Sequence, residues 1–137
     1  MSNVDKIIEE LNKKPKLVKS VLSDSKYFKN KDMRLKLPSG REGFNYHNED
    51  YTFAIGIHTA FYDKNGEYSD EYQEGYNKSV HITIFQNDPT VVGNISLPWD
   101  TNGEREGLKV INNICNKYLK YGYITENDLK RYNFNIM

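Results

Sequence analysis

Lys78-Ser79-Val80-His81-Ile82-Thr83-Ile84-Phe85-Gln86 changes character at every step: Val80, Ile82 and Ile84 form one apolar row, with Ser79, His81, Thr83 and Phe85 between them. A period of two is the strand period, because successive side chains leave a strand on opposite sides. Upstream, Tyr51 to Phe61 repeats the pattern, with Tyr, Phe, Ile, Ile, Thr and Phe at odd positions and Thr52, Ala54, Gly56, His58 and Ala60 at even ones. One side of that strand is bulky and the other small. Downstream, Thr90 to Leu97 predicts a further strand, weakened by Gly93, and Met33, Leu35 and Leu37 alternate with Arg34 and Lys36 before the turn signal Pro38-Ser39-Gly40. Strands joined by turns, with no crossover helix between them, predict an antiparallel sheet.

Between the two strongest strands lies an acidic, Tyr-rich loop over residues 62–76, in which Tyr62, Tyr68, Tyr72 and Tyr76 are interleaved with Asp63, Glu67, Asp70, Glu71 and Glu74. Two hairpins compete there. A tight turn at Asn65-Gly66 would fold residues 67–72 back on the preceding strand, whereas a long loop centred near Ser69 would pair 53–62 with 77–86. The long hairpin is preferred because its second strand is far more apolar, and it sets His58 opposite His81. Asp63, Asn65, Glu67 and Asp70 alternate as cation ligands might be spaced, but the glycine spacing and terminal bidentate Glu of a calcium loop are missing, so no metal site is expected.

The flanks read as helix. Val4, Ile7, Ile8 and Leu11 fall on one stripe, and Leu17, Val18, Val21 and Leu22 supply a second after the break at Lys13-Lys14-Pro15. Two short N-terminal helices are therefore predicted. After Leu97-Pro98-Trp99, any of Asp100, Thr101 and Asn102 can cap a helix through about Tyr121, with Leu108, Ile111, Cys115, Tyr118 and Leu119 on one face and Gly122 as its stop. Thr125 and Asp128 then form a capping-box variant that opens a shorter helix carrying Leu129. The expected fold class is α+β: an antiparallel sheet of three to five strands with N-terminal short helices and a C-terminal helix pair packed on it. It is expected to be a single domain over 1–137, with a helical basic segment at 1–30, the sheet at 33–97 and the C-terminal helices at 101–132.

Composition narrows the partners. The 137 residues carry no net charge, yet residues 1–41 hold eleven Lys/Arg against five Asp/Glu (+6), residues 42–76 one against eight (−7), and residues 77–137 seven against six (+1). Opposed segments of this kind mark either two electrostatic faces or a basic arm paired with an acidic loop. A single cysteine, Cys115, excludes an intrachain disulfide, and no signal-like or membrane-length apolar run occurs, so a soluble, cytoplasmic protein is expected.

Three functional classes follow. The leading one is a small non-enzymatic binding protein that meets a protein of basic surface through Tyr68, Asp70, Glu71, Tyr72, Glu74, Tyr76 and Trp99. Aromatic residues supply contact area, and the acids steer encounter. Size, polarity and absence of catalytic motifs suggest a phage or mobile-element inhibitor of a nuclease-type host defence. The alternative is nucleic-acid binding by Lys13, Lys14, Lys16, Lys19 and Arg34 of the basic segment, with Lys meeting phosphates. The third rests on His58, His81 and Thr83. His81-Ile82-Thr83-Ile84 resembles the His-hydrophobic-Thr-hydrophobic element of two-histidine phosphoesterases, in which paired imidazoles act as base and acid; the resemblance implies a degenerate phosphoesterase-like or nucleotide-binding protein. His58-Thr59-Ala60-Phe61 departs from the element by placing Ala60 where Ser or Thr is needed, and that family's two elements lie further apart. No cofactor is expected.

Overall fold

The computed structural model describes residues 18–20, 36–48, 50–69 and 72–137. Among these residues seven strands form one antiparallel sheet: β1 (Val18–Ser20), β2 (Phe44–His47), β3 (Phe53–Tyr62), β4 (Tyr68–Ser69), β5 (Asn77–Gln86), β6 (Val91–Pro98) and β7 (Asn135–Ile136). Two helices, α1 (Thr101–Tyr121) and α2 (Glu126–Lys130), lie between β6 and β7 in the chain. The spatial order is β1-β2-β3-β5-β6-β7, and β4 pairs with β3 beside this path. An α+β fold with a helix on an antiparallel sheet is what the alternation of β3, β5 and β6 predicts.

The strand count corrects the expected three to five. β1, β4 and β7 have two or three residues each, too few to show a period, and β2, a strand not expected from the sequence, pairs with β3. Of the expected strand ending at Leu37, Lys36 forms a single bridge to Glu42, and Met33, Arg34 and Leu35 lie outside the described residues. Val18 was expected within a helix and instead opens β1, where backbone pairing with β2 overrides the local apolar spacing. The first predicted helix and the rest of the second lie outside the described residues.

β3 is used on both edges. One edge pairs with β5 over ten residues, from Phe53↔Gln86 to Tyr62↔Asn77. The other holds β2 at Ala54 to Ile57 and β4 at Phe61 and Tyr62. Both hairpins weighed in the sequence therefore coexist. The tight turn is built by Asp63, whose carboxylate accepts from the amides of Asn65 (2.8 Å) and Glu67 (2.9 Å), while Gly66 takes φ 80°.

The bulky side of the sheet is the core. Phe53, Ile55, Ile57, Val80, Ile82, Ile84 and Val91 face Leu108, Ile111, Ile114 and Cys115 of α1. Gly107 lets the helix approach: a Cβ there would sit 2.9 Å from Ile57 Cδ1 and 3.3 Å from Ile82 Cδ1. Asp100 caps α1, its carboxylate accepting from the Gly103 amide (2.6 Å), and Gly122 ends it at φ 82°. Thr125 and Asp128 complete the predicted capping box of α2, and Asp128 also receives the Lys117 ammonium. Gln86 clasps the α1–α2 connection: its Nε2 donates to the Ile124 carbonyl (2.9 Å) and its Oε1 accepts from the Ile124 amide (2.7 Å). Asn48 ties the β2–β3 turn to the helix by donating to the Tyr118 hydroxyl (2.9 Å), and Phe53 stacks on the Tyr118 ring. Among the described residues no helix is long and apolar enough to cross a membrane.

Candidate functional site

The β3–β5 register brings His58 opposite His81, as the long hairpin predicts. Both lie on the side of the sheet away from α1, with ring centroids 5.2 Å apart and planes at 62°. His81 Nδ1 is 3.0 Å from Ser96 Oγ and 3.3 Å from the Tyr62 hydroxyl, which are 2.8 Å from each other. Both rings are buried, 7% and 8% exposed. Burial, reinforced by the neighbouring imidazole, pushes His58 down to about 3; burial pushes His81 down to about 4. At neutral pH the pair is two neutral rings, able to accept hydrogen bonds but without the proton that a general acid transfers. Thr83 shares their side two residues further along β5, is exposed, and pairs with Gly56 and Asn94 rather than with either histidine.

A second constellation assembles at the end of the sheet where β3 finishes and β5 begins. Tyr68 pairs with Tyr62 across the tight hairpin, with ring centroids 6.1 Å apart. Tyr72 packs its ring against Phe61 (5.3 Å) and Tyr76 (6.5 Å). The Lys78 ammonium lies over Tyr72 at 4.9 Å and over Trp99 at 5.1 Å, bridging the loop to the α1 entrance. Trp99 is held by its neighbours: the Asp100 amide donates to the Pro98 carbonyl, and Gly103 must lack a side chain because a Cβ would fall 1.9 Å from that carbonyl oxygen. Tyr68 is 50% and Trp99 37% exposed, whereas Tyr72 and Tyr76 are half-buried.

Three of the predicted contact residues, Tyr72, Tyr76 and Trp99, are thus linked through Phe61 and Lys78, Tyr68 packs against Tyr62 across the tight hairpin, and Glu74 is exposed. Asp70 and Glu71 lie outside the described residues. Lys78 and Tyr62 belong to this end and were not singled out in the sequence. Their signal was the hairpin register, which places Lys78 opposite Phe61 and its neighbour Ser79 opposite Pro98. Of the basic candidates, Lys19 sits in β1, paired with Tyr46, and Lys13, Lys14, Lys16 and Arg34 lie outside the described residues. No group of three or more His, Cys, Asp or Glu that could hold a metal ion occurs among the described residues. No protein-family model matches the chain, and no curated protein or solved structure shows significant similarity to it.

Proposed function

We propose that this chain is a small non-enzymatic binding protein that works by protein contact through the aromatic end of the sheet. One observation supports this above the others: Lys78 is bracketed by Tyr72 and Trp99, so residues from a loop, a strand and a helix entrance form one ordered aromatic surface. Partly exposed Tyr and Trp rings on a rigid support are the groups that dominate binding energy at protein interfaces. The acids of the loop, Glu67 and Glu74 among them, suit a partner with a basic surface. In biological terms the reading is an inhibitor of a nuclease-type defence, carried by a phage or other mobile element.

The test is capture of a partner from host lysate by the parent protein and by a folded Tyr68→Ala/Trp99→Ala variant. A stoichiometric complex with the parent, lost in the variant, is expected. Equal capture by both proteins would overturn the assignment of this surface.

A further inference from the structure

The dipeptide Asn-Gly occurs twice in this chain, at Asn65-Gly66 and at Asn102-Gly103, and a glutamate follows each. It is the asparagine sequence most open to attack by its own backbone, because glycine places no side chain beside the nitrogen that reacts. That nitrogen adds to the asparagine Cγ and gives up its proton to water, and the side-chain nitrogen leaves as ammonia. Water then opens the five-membered imide at either carbonyl. One opening leaves aspartate; the other leaves isoaspartate, whose backbone runs through Cβ and is one carbon longer. The first step needs a glycine nitrogen free of other bonds and about 3–3.5 Å from Cγ. Since the local sequence is alike at the two sites, the fold decides between them.

At the start of α1 that step is blocked. The buried Gly103 amide donates to the Asp100 carboxylate at 2.6 Å, and the Arg105 guanidinium holds the Asn102 carboxamide. Freeing this amide means lifting the α1 start, whose Gly107 is seated against Ile57 and Ile82 of the core. The hairpin tip between β3 and β4 is the reverse case. Asn65 and Gly66 are exposed, the Asn65 carboxamide makes no hydrogen bond among the described residues, and a Cβ on Gly66 would have nothing within 4 Å. The Gly66 amide is held by the Asp63 carbonyl at 3.0 Å. Beyond it, β4 pairs with β3 at Phe61↔Ser69 and Tyr62↔Tyr68. A hairpin tip closed by so short a ladder lies at the low-stability end of local opening, so its amide is regularly released.

We infer that Asn65 is a site of spontaneous modification, converting to aspartate and isoaspartate in the folded protein far faster than Asn102, and that the isoaspartate breaks the tight turn. The longer backbone at position 65 moves the Gly66 and Glu67 amides away from the Asp63 carbonyl and carboxylate that now bind them. Tyr68, placed against Tyr62 by this turn, then loses its seat. The inference does not depend on the proposed binding role.

Incubation of the full chain at pH 8, sampled over days and followed by trypsin digestion and tandem mass spectrometry, tests it. Residues 65–78 and 79–105 form separate tryptic peptides, so the two sites are read apart. Conversion at Asn65 should run at least about 100-fold ahead of Asn102, because releasing the α1 start approaches the cost of opening the core. In concentrated urea, where turn and helix are both gone, the two sites should convert at similar rates. In the isoaspartate-containing protein, nuclear Overhauser contacts between the Tyr62 and Tyr68 rings should be lost while those between Phe53 and Tyr118 persist. Three results would overturn the inference: equal conversion at the two sites in the native protein, conversion at Asn65 no faster than at asparagines outside Asn-Gly, or an isoaspartate form that keeps the Tyr62–Tyr68 contacts.

Discussion

Acidification should destabilise this protein well above the pH at which its carboxylates titrate. His58 and His81 have folded-state values near 3 and 4, against 6.5 for an unperturbed imidazole. Above pH 6.5 both are neutral in either state and contribute no pH dependence. Below it the unfolded chain takes up two protons that the native sheet refuses, so stability falls with pH until the folded values are reached. Each imidazole contributes a slope of about 1.4 kcal/mol per pH unit, and the pair about 2.7. Between pH 6.5 and 4 the loss comes to roughly 6–7 kcal/mol, comparable with the 5–15 kcal/mol that holds a domain folded. Urea denaturation followed by circular dichroism at half-unit steps from pH 7.5 to 4.5 measures the slope directly. A His58→Gln/His81→Gln variant, which keeps polar groups for Tyr62 and Ser96 but cannot titrate, should be nearly flat above pH 5. Parent stability that is level from pH 6.5 to 5, or a variant that keeps the parent slope, would refute the reasoning.

Three other outcomes are expected. Gly107→Val should cost about 1–3 kcal/mol in urea denaturation, because the added carbons meet Ile57, Ile82 and Leu97 where the helix lies closest to the sheet. Thr125→Ala should cost about 1 kcal/mol by the same measurement through loss of the α2 capping box, with Lys117 and Asp128 left in place. Once a protein partner is in hand, surface plasmon resonance should separate two groups at the aromatic end: Trp99→Ala should chiefly raise the dissociation rate, and Glu74→Gln should chiefly lower the association rate and its salt sensitivity.

The parts of this fold that announce themselves in the sequence are those with enough residues to show a period. β3, β5, β6 and α1 have eight to twenty-one residues each, and their patterns are legible to within a residue or two at each end. The capping residues of α1 and α2 are equally legible, because Asp100, Gly122, Thr125 and Asp128 act on amides within a few positions of themselves. β2 was missed because Phe44-Asn45-Tyr46-His47 alternates for only four residues inside a polar stretch. β4 and β7 owe their extended state to the strands they join rather than to their own composition. The histidine pairing followed from a loop centre alone, and the register bears it out. Its burial did not follow, since small Gly56 and Ala60 beside His58 predict a cleft. The Lys78 bridge was invisible for a related reason: it depends on where a loop and a helix entrance come to rest around one strand end.

The clasp between Gln86 and Ile124 reproduces, with a side-chain amide, the two-way exchange that a neighbouring strand would make with that residue. Ile124 lies in a loop between helices, where amide hydrogens ordinarily trade with deuterium in seconds to minutes. Here the amide is fully buried and bonded to the last residue of the central strand, so it can open only when that strand end does. The α1–α2 connection thereby belongs to the same cooperative unit as β5. In a deuterium-exchange experiment Ile124 should rank with the sheet interior, and its exposed neighbour Tyr123 should exchange far sooner.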